Sequence, residues 1–249
     1  MSLLTQKLKP TSGLPHLFHM ILLVSLPVVA FVLVKLNFVQ IALVIVALSK
    51  WRMFSVRPRF WLTNIRSNSV DLIVGLSIVL FMGHSGNMLV QLLWTAFYVG
   101  WLLVIKPAGG MFMTSMQAFI AQFFGLTALY LIWAAGPIIG LTFLTGEICF
   151  FAARHFLDNF EEPYARMLAY FWGYFAAALA WLFSHMLLFY GPVAQPTLLL
   201  STLGYGLAVI YYLDHNDRLS KGVRRQFIFI MLAIVLVVLV FSGWGDKAI

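Results

Sequence analysis

The chain has 249 residues, of which 62% are hydrophobic and 10% charged, with a formal net charge of +8. A soluble domain carries about 25% charged residues, so this composition excludes an ordinary water-soluble protein, and the excess charge lies between apolar runs rather than on one basic face that could hold nucleic acid. The single cysteine, Cys149, excludes an intramolecular disulfide and a cysteine-rich metal site.

A helix crossing the hydrocarbon core needs about 20 apolar residues. Taken in chain order, the apolar runs predict nine spans, at 16–35, 36–50, 69–84, 87–105, 111–134, 137–154, 166–190, 196–214 and 225–243. The first run follows Lys7 and Lys9 as a signal peptide would, but it lacks an A-x-A site and continues into apolar sequence, so a retained helix is expected. The second and third spans are short, and either is a candidate re-entrant segment. The expected fold is therefore an all-α polytopic bundle forming a single membrane domain over 1–249.

Charge fixes the expected orientation, because cytoplasmic loops retain Lys and Arg. With the N-terminus inside, inner segments hold Lys7, Lys9, Lys50, Arg52, Arg57, Arg59, Arg66, Lys106, Arg154, Arg166, Arg218, Lys221, Arg224 and Arg225, and outer ones only Lys35 and Lys247. The C-terminus is then outside. In a bacterial cell this describes the cytoplasmic membrane.

Between the second and third spans, residues 51–68 interleave Trp51, Arg52, Phe54, Arg57, Arg59, Phe60, Trp61 and Arg66. Aromatic rings favour the headgroup region and cations favour anionic lipid. A cytoplasmic interfacial loop contacting anionic lipid or a partner protein is expected there, with Pro58 interrupting any continuous helix.

Later spans carry packing signals. Ala169, Gly173, Ala176, Ala180 and Ser184 recur at helical spacing, as do Ser115, Ala118, Gln122 and Gly125. Small residues let membrane helices approach closely. Gly136 and Gly140 form a lone GxxxG. Gln40, Gln91, Gln117 and Gln122 are suited to hydrogen bonding across helices.

Glu147, in the cytoplasmic half of the sixth span, is the leading candidate for function. An ionisable group at membrane depth is expensive and marks ion or proton pathways. With Gln117 and Gln122 it makes a candidate proton or cation site, and it favours a small transporter, a channel or a membrane-embedded subunit of a larger complex. An anchor docking a partner through basic inner loops is the bland alternative.

Three short motifs resemble intramembrane enzymes. Gly83-His84-Ser85-Gly86 resembles the GxSG of rhomboid proteases, which implies Ser85 as nucleophile and His185 as base, although no HxxxN accompanies it. Glu161-Glu162-Pro163-Tyr164-Ala165-Arg166 is similar to the EExxxR of the CAAX-protease family, with His185 and His215 as imperfect histidine partners. Asp158, Glu161 and Glu162 resemble one of the two acidic motifs of UbiA prenyltransferases. Its counterpart would fall in 51–68, which has no carboxylate. No nucleotide-binding, haem-attachment or metal-ligand motif is present, so no cofactor is expected.

Overall fold

A computed structural model describes residues 14–55, 57–133, 136–184, 189–190 and 193–241. The described chain forms nine α-helices, one for each predicted apolar run: α1 (Leu14–Lys35), α2 (Val39–Leu48), α3 (Trp61–His84), α4 (Met88–Gly100), α5 (Met111–Trp133), α6 (Ile138–Asn159), α7 (Ala165–Ser184), α8 (Gln195–His215) and α9 (Lys221–Phe241). Seven of them, α3 with α4 to α9, are long and apolar enough to cross a membrane when α4 is taken through its terminal π turn at Trp101–Ile105. The apolar stretches Met20–Lys35 and Val39–Leu48 are shorter. Ten residues of α2 rise about 15 Å, half the hydrocarbon core.

Several boundaries differ from the sequence reading, among them the start of α3 and the end of α7. Instead of starting near residue 69, α3 begins at Trp61, directly after two short 3-10 turns at Trp51–Phe54 and Pro58–Phe60. Its first turns are polar, but those side chains satisfy themselves locally. The Ser67 and Ser69 hydroxyls donate to the Asn64 and Arg66 carbonyls, and Asn68 also donates to the Asn64 carbonyl. Hydropathy does not see such turns. The seventh span, expected to reach residue 190, ends as a helix at Ser184, and Phe189–Tyr190 pairs antiparallel with Val193–Ala194.

The chain divides into two compact units, residues 1–52 with 78–108, and residues 53–77 with 109–249. In the first, Asn37 takes a left-handed φ of 63°, which lets α1 and α2 turn back on each other within three residues. The Asn87 side chain accepts from the Leu89 N–H and caps α4. Gln91 donates from Nε2 to the Met82 and Ser85 carbonyls, which lie at the open C-terminal end of α3.

In the second unit α6 and α7 cross most closely. A Cβ on Gly173 would lie 2.9 Å from Phe150 Cβ and 3.0 Å from the Gly146 carbonyl oxygen, so this crossing demands glycine. Ala169, Gly173, Ala176, Ala180 and Ser184 form the buried stripe of α7, while Phe171 and Tyr174 are 70% and 77% exposed. On α5, Ala118, Gln122 and Gly125 are buried and Ser115 half-buried, and Gly125 admits Ile73 and Ile148. Gly136 and Gly140 instead make room for the indole of Trp133, so their spacing serves a side chain rather than a helix crossing.

Candidate functional site

Glu147 lies near the middle of α6. The interior face of α6 is built from Leu141, Thr145, Cys149, Ala152 and Phe156. At 3.6 residues per turn, Glu147 falls on the opposite side, where it is half-buried. No described residue gives its carboxylate a hydrogen bond or an ion pair. Arg154 and Asp158 follow at i+7 and i+11, so the three charges of α6's second half share one face.

The lower end of that face is an ion cluster. Arg154 Nη2 lies 2.9 Å from Asp158 Oδ1, and Arg66 Nε of α3 lies 3.5 Å from Asp158 Oδ2. An acid in the last turn opposes the helix dipole, and two guanidinium groups offset that cost. The two arginines differ in burial. Arg66 and Asp158 are each 38% exposed, whereas Arg154 is 12% exposed, with Nε and Nη1 buried and lacking hydrogen-bond acceptors. A buried donor without a partner costs about 1–3 kcal/mol. Arg154 is therefore under-satisfied by Asp158 alone.

The two glutamines proposed beside Glu147 are engaged elsewhere. Gln122 donates from Nε2 to the Leu200 carbonyl at 2.9 Å and accepts from Trp172 Nε1 at 3.1 Å, joining α5, α7 and α8. Gln117 Oε1 lies 3.0 Å from His155 Nε2. Gln117, expected beside Glu147, instead meets His155 two turns further along α6. Tyr130 and Thr145 share a hydroxyl–hydroxyl contact of 3.3 Å in the core.

Ser85 sits in the turn between α3 and α4, its hydroxyl 3.4 Å from both the carbonyl and the N–H of Asn87. The GxSG letters thus lie in a helix connection. His185, its expected base, lies outside the described residues. Glu161 is exposed in the α6–α7 turn with φ of 53°, and Glu162 accepts a hydrogen bond from the Tyr211 hydroxyl. Since α7 is one unbroken helix of 20 residues, those carboxylates are about 30 Å from its far end, where His185 follows. Asp158 is committed to two arginines, and among the described residues no group of three His, Cys, Asp or Glu is placed to hold a metal.

In the 51–68 segment, Trp51, Arg57, Arg59 and Trp61 are exposed, Arg66 is drawn into the pair with Asp158, and the Arg52 side chain lies outside the described residues. Arg59 stacks over Phe60 at 4.6 Å, and Phe54 meets Trp61 edge-on at 5.5 Å.

Sequence reasoning missed Asp71, a carboxylate only 7% exposed within α3. Its position two residues into the third apolar run was the available signal. It also missed His155 and Arg154, which looked terminal because the sixth span was drawn to residue 154.

Helices of crossing length with large apolar side chains turned outward define an integral, multi-pass α-helical membrane protein. No family model, curated protein or solved structure matches the chain.

Proposed function

We propose that this protein is a small membrane transporter in which Glu147 binds a proton or cation and Arg154 is its exchangeable counter-charge. The observation that supports this reading is the alignment of Glu147, Arg154 and Asp158 on one face of α6. Among the described residues Glu147 has no partner, and Arg154 retains buried donors without acceptors. The two residues are two turns apart, about 10 Å of rise, so Arg154, the longer side chain, must release Asp158 and extend along the helix to reach Glu147. In the empty state Arg154 neutralises the Glu147 carboxylate. Loading Glu147 with a proton or cation frees Arg154 for Asp158, the arrangement described above. The site's charge is thereby linked to the ion pair that joins α6 to α3.

The reading includes nine crossings with the N-terminus in the cytoplasm and the C-terminus outside, as the distribution of Lys and Arg supports. In liposomes holding the purified full chain and a trapped pH dye, an imposed potential should drive proton or cation movement. Glu147→Gln should slow it at least tenfold while the protein stays monodisperse. Unchanged flux on Glu147→Gln would reject Glu147 as the transport site. No flux from the unsubstituted chain, together with loss of a larger native assembly on the same substitution, would reject transport. It would favour the subunit reading, with Glu147 meeting a cation of another chain.

A further inference from the structure

We infer that the segment between α2 and α3 is a binding surface for the phosphodiester headgroup of an anionic phospholipid, with Arg57 and Arg59 as its charge contacts and Phe54, Phe60 and Trp61 as its interfacial anchor. This inference is independent of the Glu147 reading.

Residues 50–66 contain Lys50, Arg52, Arg57, Arg59 and Arg66 and no Asp or Glu. No other loop gathers several cations without an acid; the α4–α5 turn is acid-free but carries Lys106 alone. The α6–α7 turn and the helix ends beside it mix Arg154 and Arg166 with Asp158, Glu161 and Glu162, and the α8–α9 turn with its helix ends mixes Arg218 and Lys221 with Asp214 and Asp217. Acidic neighbours in those turns neutralise the cations locally. Arg66 is likewise neutralised by Asp158. Arg57 and Arg59 are exposed, and among the described residues no carboxylate pairs with either.

Position sets the depth. The segment follows the last turn of α2 at Leu48 and leads directly into α3, whose apolar window opens at Thr63. Backbone that leaves one membrane helix and enters the next within a dozen residues stays at headgroup level. The 3-10 turn at Pro58–Phe60 keeps Arg57, Arg59 and Trp61 within one short stretch, because Pro58 supplies the fixed φ of its first position.

The apolar groups decide between a lipid and a free anion. Phe54, Phe60 and Trp61 are 46%, 41% and 38% exposed beside the two arginines. A free phosphate would satisfy the guanidinium groups and leave three large rings in water. A phospholipid satisfies both, since rings of this kind prefer the interface and the headgroup phosphate lies at the same depth.

The test is native mass spectrometry of the full chain in detergent, supplied with equal amounts of phosphatidylglycerol and phosphatidylcholine. We expect phosphatidylglycerol to be retained preferentially. Each basic residue near an anionic surface contributes enough to predict roughly a fivefold loss for Arg57→Gln or Arg59→Gln and about thirtyfold for both together. Lysine at both positions should keep most of the preference, because point charge suffices at an exposed phosphate. Arg218→Gln with Arg225→Gln, a matched change in the α8–α9 region, should leave it intact. Trp61→Leu should weaken lipid retention without creating phosphate sensitivity. Equal retention of the two lipids, equal loss in the α8–α9 control, or displacement of phosphatidylglycerol by millimolar inorganic phosphate would overturn the proposal. Circular dichroism and monodispersity of each variant separate lost binding from lost folding.

Discussion

Gln122 shows how one polar residue joins three membrane helices. Its amide donates to the Leu200 carbonyl and accepts from Trp172, and Gly204 leaves the space, since a Cβ there would lie 2.9 Å from Gln122 Nε2. Interhelical hydrogen bonds in membranes average about 0.6 kcal/mol. Gln122→Leu should therefore cost only about 1 kcal/mol in detergent unfolding, and Gly204→Ala at least as much, because it displaces the amide while leaving it buried. At the ion cluster the ranking follows burial. Asp158→Asn strands the mostly buried Arg154 and should cost about 1–3 kcal/mol, short of the 3–5 expected of a fully buried pair. Removing the half-exposed Arg66 by Arg66→Gln should cost under about 1 kcal/mol. Equal losses at the two positions would show that Arg154 is not the strained member.

Among the elements, α6 and α7 form the tightest contact, and its cause was readable. The small-residue spacing of Ala169, Gly173, Ala176 and Ala180 is a pattern of local sequence, and these residues form the buried face of α7. Gly173→Leu or Ala180→Leu should destabilise the bundle by about 1–3 kcal/mol or more through overpacking. Phe171→Leu and Phe175→Leu, on exposed positions, should cost less than 1 kcal/mol in thermal unfolding. Comparable losses at all four would place the stripe against lipid. The same style of reading failed at Gly136 and Gly140, where the neighbour is Trp133 of the preceding helix end rather than a second helix. Spacing reports which side chains are small, not what fills the space beside them. It also missed the polar first turns of α3, where the Ser67, Asn68 and Ser69 side chains satisfy their own polarity on the helix carbonyls.

For the molecule as a whole, helix burial is uneven. The α3 window is 56% buried and that of α9 only 11%. Asp71, buried within α3, is engaged by another group, and α9, which buries little of itself, is nearly uniformly apolar from Phe227 onward. The proposed orientation makes a direct prediction. Single cysteines at positions 7, 59, 106, 158 and 221 should be shielded from a membrane-impermeant thiol reagent in intact cells, and those at 85, 193 and 247 should react. Labelling at 59 without labelling at 193 would invert the orientation and with it the leaflet that Arg57 and Arg59 face.

Sequence by itself determined the class of protein and roughly where the nine described helices lie, with ends shifted by up to eight residues, because an apolar run is a local property of composition and length. It also singled out Glu147, since a carboxylate among apolar neighbours needs no tertiary information to be noticed. Tertiary structure decided the partners. Gln117 pairs with His155 rather than with Glu147, Gln122 bonds to Trp172 and the Leu200 carbonyl, and Asp158 draws in Arg66 from 92 positions earlier in the chain. Each of these contacts depends on the rotation of one helix about its axis relative to another. That rotation is set by the packing of small residues such as Gly125, Gly146 and Gly173, a sum over many weak contacts that no single stretch of sequence encodes.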